Sequence, residues 1–238
     1  MADRIITSLI KGVYTITLNR PEKHNCIGWE MLHGLENALH EAENKQEIKV
    51  VVIEGAGEKS FSSGADLKEF GALDAAGEKN WIIKGNQLFN RLEDLPKPTL
   101  AVLKGYVIGG GLELALSCDF RVSSETGILS FPEVSHGWLP GWGGMTRLNK
   151  LIGMSKAKAM ILLSEKISAT EANQLGLVTR LVAAEQLEGV VAEFANQLKE
   201  IKPITYQLAK SALQDETRKT TGSDLLFDVL ALRAKDLE

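Results

Sequence analysis

The chain has 238 residues, of which 44% are hydrophobic and 24% are charged, and its formal net charge is −4. No apolar run approaches the roughly 18–20 residues that cross a bilayer, the first residues lack the pattern of a secretory signal, and no Lys/Arg block suggests nucleic-acid binding. The two cysteines, Cys26 and Cys118, provide neither a disulfide framework nor a metal-binding spacing, so we expect a cytoplasmic protein without a metal site.

The first part of the sequence alternates strand-like and helix-like segments. Residues 3–9 and 12–18 are β-rich runs separated by Lys11-Gly12, which predicts a hairpin. Apolar residues recur with a period near 3.6 over residues 29–44, which predicts an amphipathic helix. A short apolar run at 49–54 is typical of a buried strand. The next predicted elements are a loop that becomes a helix over 61–70, a helix at 80–95, a strand at 99–103, a helix at 112–117 and a strand at 120–124.

From Met145 onward the pattern is mostly helical. No low-complexity linker and no repeat of fixed period divides the chain. The fold class predicted from these elements is therefore α/β with a C-terminal helical segment. The later predicted helices cover residues 154–164, 168–175, 185–200 and 203–215, with a last helix from about Ser223.

Two segments place glycine between a strand and the start of a helix. They are Ser63-Gly64-Ala65-Asp66 and Gly109-Gly110-Gly111. The first N–H groups of a helix have no intrahelical acceptor, and the helix dipole favours negative charge there. Two such amides directed at one point would form an oxyanion hole. Each segment taken alone is better explained as an ordinary turn, since Gly-rich connections between strands and helices are common.

Two glutamates follow these segments. Glu113 lies in the first turn of the helix after Gly110, and Glu133 follows Pro132 in a Gly/Pro/Trp-rich stretch. An acid in a first helical turn often only complements the dipole, and an acid after proline is often a turn residue. If both face one water-poor cleft, one can accept a proton while the other donates one.

Several blocks together resemble the crotonase, or enoyl-CoA hydratase/isomerase, superfamily and most closely its enoyl-CoA hydratases. The resemblance covers residues 5–215. The matching blocks occur in the family's order: Asn19-Arg20-Pro21 with Asn25, FSSGADLKEF from Phe61, GYVIGGGLELALSCDFRV from Gly105, FPEVSHGWLPGWGGMTRL from Phe131, and ISATEANQLGLVTRLV from Ile167.

This resemblance implies a spiral of ββα units that forms two crossed sheets. It implies a crotonase-like core over residues 1–185 and a helical segment over 186–238 that packs subunits into homotrimers or homohexamers. Because the chain ends at Glu238, we expect this C-terminal segment to be shorter than is typical of the family.

The resemblance also implies that an acyl-CoA thioester binds with its carbonyl oxygen between the N–H groups of Ala65 and Gly110. Coenzyme A is then part of the substrate, and no separate cofactor is implied. Lys68 and Lys23 are candidates for contacting its phosphates, although both also fit a solvated surface lysine. The substrate-binding residues implied are Ala65, Asp66, Leu67, Lys68, Gly109, Gly110, Pro132, Pro140, Gly141 and Lys23.

Retention of both glutamates implies addition of water to a 2-trans-enoyl-CoA, giving a 3-hydroxyacyl-CoA. Glu113 would deprotonate the water that attacks C3, Glu133 would protonate C2, and backbone near Gly141 would help to hold the water. The alternatives are other reactions of the family (double-bond isomerisation, hydration of a cyclic dienoyl-CoA, or acyl-CoA decarboxylation) and a non-catalytic binding module.

The sequence departs from typical hydratases around Glu133. Phe131 stands where they have a glutamine, and His136, Trp138 and Trp142 make the following loop bulkier. We expect this loop to shape the acyl pocket, with His136 serving a structural or substrate-shaping role more readily than a direct chemical one.

Overall fold

A computed structural model of the protein describes residues 3–214. That range contains ten strands and eight α-helices. The strands are β1 (Ile5–Ile10), β2 (Val13–Leu18), β3 (Val50–Gly55), β4 (Ser60–Ser62), β5 (Thr99–Leu103), β6 (Tyr106–Ile108), β7 (Phe120–Ser124), β8 (Ile128–Ser130), β9 (Ile167–Ser168) and β10 (Arg180–Val182). The helices are α1 (Trp29–Asn44), α2 (Leu67–Phe70), α3 (Ala75–Glu93), α4 (Gly110–Leu116), α5 (Gly144–Leu162), α6 (Ala169–Gln174), α7 (Leu187–Lys199) and α8 (Pro203–Gln214).

The strands form two sheets. The larger has the order β1-β2-β3-β5-β7-β10, in which the β1–β2 hairpin is antiparallel and the other pairs are parallel. The smaller has the order β4-β6-β8-β9, in which β4, β6 and β8 are parallel. The predicted α/β class, the opening hairpin and the C-terminal helices are confirmed.

The central strands of the larger sheet are buried on both faces. Val51 and Ile53 in β3 point into the main apolar core, while Val50 and Val52 point to the opposite face. Helix α7 covers that opposite face and contributes Phe194 to a second apolar cluster. The predicted division of the chain into a core over residues 1–185 and a helical segment over 186–238 stays a prediction.

The smaller sheet determines where the two glycine segments and the loop that carries Glu133 meet. Because β4, β6 and β8 are parallel neighbours, their carboxyl ends lie at one edge of the sheet. The chain leaves that edge at Ser63, at Gly109 and at Phe131. The two glycine segments and the loop that carries Glu133 are therefore adjacent.

Some element boundaries differ from the sequence prediction. Helix α3 begins at Ala75 rather than at residue 80, because the Asp74 carboxylate accepts a hydrogen bond from the Gly77 N–H at 2.8 Å and caps it earlier. Helix α5 is interrupted at Gly153, whose φ of 77° and ψ of 160° are not helical. Its second half agrees with the helix predicted over 154–164, whereas its first half, from Gly144, was not predicted as a separate helix. The predicted helix from about Ser223 lies outside the described residues.

Within residues 3–214, every helix is too short or too polar to span a lipid bilayer.

Candidate active site

A cavity of about 640 Å³ opens at the carboxyl edge of the smaller sheet. Its walls come from the loops after β4, β6 and β8, from α3, and from the start of α5. The lining residues are Ser63, Gly64, Ala65, Leu67, Phe70, Glu78, Trp81, Ile82, Ile108, Gly109, Gly110, Glu113, Pro132, Glu133, His136, Gly137, Trp138, Leu139, Pro140, Gly141, Trp142 and Met145.

A short bridge fixes the direction of the Ala65 amide. The Ile27 N–H donates to the Gly64 carbonyl at 2.8 Å, and the Asp66 N–H donates to the Ile27 carbonyl at 2.9 Å. In such a parallel bridge, the residue between the two hydrogen-bonded neighbours, here Ala65, has its own N–H and C=O groups pointing away from the partner strand. The Ala65 N–H is therefore turned away from Ile27. Its nitrogen lies 3.4 Å from the place that a Cβ on Gly110 would occupy.

The Gly110 amide lies beside this point. Gly109 has a φ of 51° and a ψ of −125°, a turn that favours glycine, and the helix α4 starts immediately after it. The Gly110 N–H belongs to the first helical turn and so has no intrahelical acceptor. Among residues 3–214, neither this N–H nor that of Ala65 has a protein acceptor, and both residues line the cavity. The pair can stabilise negative charge on a bound carbonyl oxygen.

Glu113 lines the same cavity and is held by backbone hydrogen bonds. Its side chain is 2% exposed, and its Oε1 accepts hydrogen bonds from the Trp142 N–H at 2.7 Å and the Gly144 N–H at 2.8 Å. Burial raises the pKa of Glu113 to about 7, and repulsion from Glu133 adds to the rise, while the two backbone hydrogen bonds oppose it.

Glu133 faces the same cavity from a 3-10 turn at Glu133–His136, after β8. Its Oε2 is buried and has no hydrogen-bond partner within residues 3–214. Its Oε1 lies 2.6 Å from the place that a Cβ on Gly109 would occupy, so this approach requires glycine at that position. Burial raises the pKa of Glu133 to about 7 as well. Near neutral pH one of the two carboxyl groups can therefore be ionised while the other is protonated.

Arg147 stabilises the loop that holds Glu113. Its Nη1 donates to the Trp142 carbonyl at 2.7 Å, its Nε to Glu93 at 2.7 Å and its Nη2 to Asn90 at 2.5 Å. Because Glu93 and Asn90 belong to α3, this buried guanidinium links α3 to the backbone around Trp142. The sequence analysis missed this role of Arg147.

Asp66 fixes the start of α2, directly after Ala65. Its Oδ1 accepts hydrogen bonds from the Lys68 N–H at 3.0 Å and the Glu69 N–H at 3.3 Å, and its Oδ2 accepts one from Arg20 Nη1 at 2.6 Å. Burial alone would raise the pKa of Asp66, but these hydrogen bonds and the charge of Arg20 outweigh it and lower the pKa. Asp66 therefore acts as a helix cap and ion-pair partner.

The structure brings most of the predicted site residues to the cavity and leaves three outside it. Asp66 forms the cap just described, and Lys68 and Lys23 are exposed residues that do not line the cavity. The predicted residues that line it are Ala65, Leu67, Gly109, Gly110, Glu113, Pro132, Glu133, Pro140 and Gly141. Their roles in binding and catalysis stay predictions. No group of three or more potential metal-ligating His, Cys, Asp or Glu side chains occurs within residues 3–214.

Aromatic residues form much of the cavity wall. Trp138 and Trp142 were expected near it, but Phe70 and Trp81 were not. Trp81 lies on the buried face of α3 and contacts Trp142 across the cavity wall, with ring centroids 5.9 Å apart. The only sequence signal for Trp81 was its position on the apolar face of a predicted helix. Such a position is equally typical of an ordinary core residue.

Comparisons with known proteins agree on one family. A family model described as enoyl-CoA hydratase/isomerase matches residues 9–232. The short-chain-enoyl-CoA hydratase of Clostridium acetobutylicum is 38% identical over 216 residues, which cover 91% of this chain and 83% of that protein. The crotonyl-CoA hydratase of Syntrophomonas wolfei is 30% identical over 213 residues, covering 90% of this chain and 82% of the relative.

A solved structure is similar over nearly the whole chain. The enoyl-CoA hydratase from Bacillus anthracis superposes with a TM-score of 0.90 at 33% identity, covering 97% of this chain and 90% of that chain. The fold that the sequence resemblance implied is confirmed.

Proposed function

The chain belongs to the enoyl-CoA hydratase/isomerase family, and from this we propose that it is an enzyme that reversibly adds water to a 2-trans-enoyl-CoA. Relatives that carry the names short-chain-enoyl-CoA hydratase and crotonyl-CoA hydratase support this activity. The observation that carries the proposal is the pair Glu113 and Glu133, one buried and one half-buried carboxyl group of raised pKa in one cavity beside two unpaired amides.

The two amides polarise the thioester. Its carbonyl oxygen accepts hydrogen bonds from the N–H groups of Ala65 and Gly110. As water attacks C3, the alkene electrons move toward C2 and the carbonyl, and the oxygen gains enolate charge. Preorganised donors stabilise such charge by about 3 kcal/mol each.

The two glutamates move the protons. Ionised Glu113 accepts a proton from water as the oxygen–C3 bond forms, and protonated Glu133 donates its proton to C2 as the enolate collapses. The hydrogen-bonded Oε1 of Glu113 fixes its orientation, which leaves Oε2 for the water. Water and protons alone are exchanged, so coenzyme A takes part as a portion of the substrate.

The coenzyme remains at the mouth of the cavity. Leu67 lines the mouth and is 53% exposed, and the exposed Lys68 follows it on α2. Lys23 is a second exposed cation, in the 3-10 turn at Pro21–Lys23. We assign these lysines to the coenzyme phosphates, since a lysine ammonium is a suitable point charge for phosphate.

The activity is tested with crotonyl-CoA. We expect loss of the absorbance of the conjugated enoyl thioester and formation of 3-hydroxybutyryl-CoA by mass spectrometry. A 3-enoyl-CoA incubated in parallel reports double-bond isomerisation. Conversion of the 3-enoyl-CoA without hydration of any 2-enoyl-CoA would overturn the hydratase assignment in favour of an isomerase.

We further propose that the protein assembles as a homotrimer or homohexamer. Its described surface carries exposed apolar side chains, among them Met154 at 57%, Leu163 at 78% and Leu213 at 87% exposure. Exposed large apolar side chains can mark subunit contacts. Light scattering coupled to size-exclusion chromatography measures the mass directly, and a monomeric mass at micromolar concentration would contradict the assembly.

A cytoplasmic location is proposed on the state of the cysteines. Cys26 and Cys118 are unpaired thiols, which suits a reducing compartment. Fractionation of cells that produce the protein, followed by immunodetection, tests the location.

A further inference from the structure

The cavity has an open end and a buried end. Leu67, Trp138 and Leu139 line it with exposures of 53%, 39% and 67%, whereas Trp81 and Trp142 line it with exposures of 1% and 3%. A bulky, polar coenzyme fits the open end. The acyl chain that continues beyond the thioester must then point toward the buried end.

The indole of Trp142 lies immediately beside the thioester position. Its Cζ3 and Cε3 atoms lie 2.5 and 2.7 Å from the place that a Cβ on Gly110 would occupy. The Gly110 N–H is one of the two amides assigned to the carbonyl oxygen, and the Trp142 N–H itself holds Glu113. The ring is therefore within one side-chain length of the groups that act on the carbonyl and on C3.

The Trp142 ring has little freedom to move away. It packs edge-on against Phe89 with ring centroids 5.2 Å apart and lies at 33° to Trp81 with centroids 5.9 Å apart. On α3, Gly85 leaves the space for the indole Nε1, because any Cβ there would overlap it. The carbonyl of Trp142 is fixed by Arg147. Rotating the indole would displace side chains that are themselves buried, and such cores resist rearrangement.

We propose, on the basis of the hydratase function above, that Trp142 closes the acyl end of the cavity and makes the enzyme selective for short enoyl chains such as crotonyl. A longer acyl chain contacts the indole shortly after C3. Either its carbonyl oxygen is then displaced from the two amides, or the Trp142 ring and its aromatic neighbours must move. In a pocket with a fixed end, a single methylene can change kcat/KM by about 10- to 200-fold.

The wild-type enzyme provides the first test. We expect kcat/KM for crotonyl-CoA to exceed that for 2-trans-decenoyl-CoA by at least about tenfold. Equal values for the two substrates would overturn the inference while leaving the hydratase activity intact. Failure to hydrate any chain length would instead overturn the proposed function.

A substitution provides the second test. Trp142→Leu keeps an apolar side chain and the backbone N–H to Glu113 but shortens the wall. We expect it to lower the crotonyl-to-decenoyl ratio of kcat/KM by at least about tenfold, mainly through faster turnover of decenoyl-CoA. An unchanged ratio in a folded variant would contradict the role of the indole.

Phe194→Leu is the matched control, because Phe194 is a buried aromatic residue of the second apolar cluster and does not line the cavity. We expect this variant to lose stability and to keep the wild-type substrate ratio. Thermal unfolding identifies any variant that does not fold, and Trp142→Phe then replaces Trp142→Leu. A changed ratio in Phe194→Leu would assign selectivity to general core packing and overturn the inference.

Binding of saturated thioesters separates chain-length selection from chemistry. By calorimetry, we expect decanoyl-CoA to bind wild-type protein no more tightly than butyryl-CoA, and to gain at least about tenfold in affinity in Trp142→Leu. Tighter binding of decanoyl-CoA to the wild type would refute a closed acyl end, whether or not the protein hydrates anything.

Discussion

At the scale of single residues, the two glutamates differ in how their oxygens are held. Two backbone amides fix the Oε1 of Glu113, whereas the Oε2 of Glu133 is buried without a partner within residues 3–214. Burial raises both pKa values to about 7. The rigidly held carboxylate of Glu113 is suited to positioning water, and the unpaired carboxyl group of Glu133 is suited to delivering a proton to carbon.

Replacing Glu133 tests its proposed role as proton donor. Because an amide cannot supply an acidic proton, Glu133→Gln should lower kcat for crotonyl-CoA by at least about 100-fold, with the affinity for butyryl-CoA nearly unchanged. Steady-state kinetics and calorimetry measure the two quantities. Glu58→Gln, at a highly exposed carboxylate outside the cavity, is the control and should retain activity. Wild-type turnover in Glu133→Gln would remove Glu133 from the mechanism.

The raised pKa of Glu113 also predicts how stability changes with pH. The pKa rises from 4.5 to about 7 on folding, so the native state binds more protons than the unfolded state between these values. The stabilisation is complete below pH 4.5 and is lost as the pH rises through about 7.

Glu113→Gln removes this titration. Relative to wild type, the free energy of unfolding of the variant should therefore increase by about 2–3 kcal/mol between pH 5 and pH 8. Denaturant titrations at the two pH values measure the change, and any constant effect of the substitution cancels in the comparison. The same difference at both pH values would show that Glu113 is ionised throughout.

At the scale of elements, α2 is too short to be stable by itself, since an isolated single helical turn gains little from hydrogen bonding. Asp66 caps its start, and its Glu69 accepts a hydrogen bond from the Trp29 N–H at 2.9 Å. That second bond satisfies the first turn of α1, where Gly28 has no side chain to act as a cap. The starts of the two helices are thus linked beside Ala65.

Asp66 offers a way to separate capping from charge pairing. Asp66→Ala removes the cap and leaves Arg20 with only its longer, 3.9 Å contact to Glu69. We therefore expect a loss of about 2–4 kcal/mol in unfolding free energy and a lower kcat/KM as the Ala65 amide shifts. Asp66→Asn keeps a capping oxygen, so its losses of unfolding free energy and of kcat/KM should both be smaller. Chemical denaturation and crotonyl-CoA kinetics measure these effects. Equal losses in the two variants would show that the cap contributes nothing.

The sequence predicted long elements better than short ones. The bounds of α1 agree with the prediction because Met31, Leu35 and Leu39 are among buried residues at helical spacing. The strands β4, β6 and β8 have three residues each, too few to display a period, and were not recognised from pattern. These strands align the candidate site, so the meeting of Glu113 and Glu133 followed from the family resemblance rather than from periodicity.

At the scale of the whole molecule, a buried ion pair joins the C-terminal part of the chain to the core. The Lys210 Nζ on α8 lies 2.9 Å from Asp119 Oδ1 and donates to the Leu95 carbonyl at 2.8 Å. Asp119 Oδ2 in turn accepts hydrogen bonds from the Thr99 N–H and hydroxyl at 2.9 and 2.8 Å. Residues more than 90 positions apart in sequence share this network. No sequence pattern indicated it, because each polar residue is unremarkable in its own segment.

The network is expected to stabilise the folded state. Lys210→Ala leaves Asp119 without its cation, and we expect a loss of about 3 kcal/mol in unfolding free energy. Lys166→Ala, at an exposed lysine, is the control and should change this free energy by less than about 0.5 kcal/mol. Denaturant unfolding measures both. A loss in Lys210→Ala no larger than in the control would show that this ion pair does not stabilise the folded state.

The groups assigned to the carbonyl oxygen are main-chain amides of Ala65 and Gly110, whereas the groups around the acyl chain are side chains. Codon changes can readily replace an indole by a smaller group but cannot delete a peptide N–H except by introducing proline. Point mutations in such a scaffold therefore preserve the backbone amides that activate the thioester. They change the side chains around the acyl chain, and so change which acyl groups the enzyme accepts.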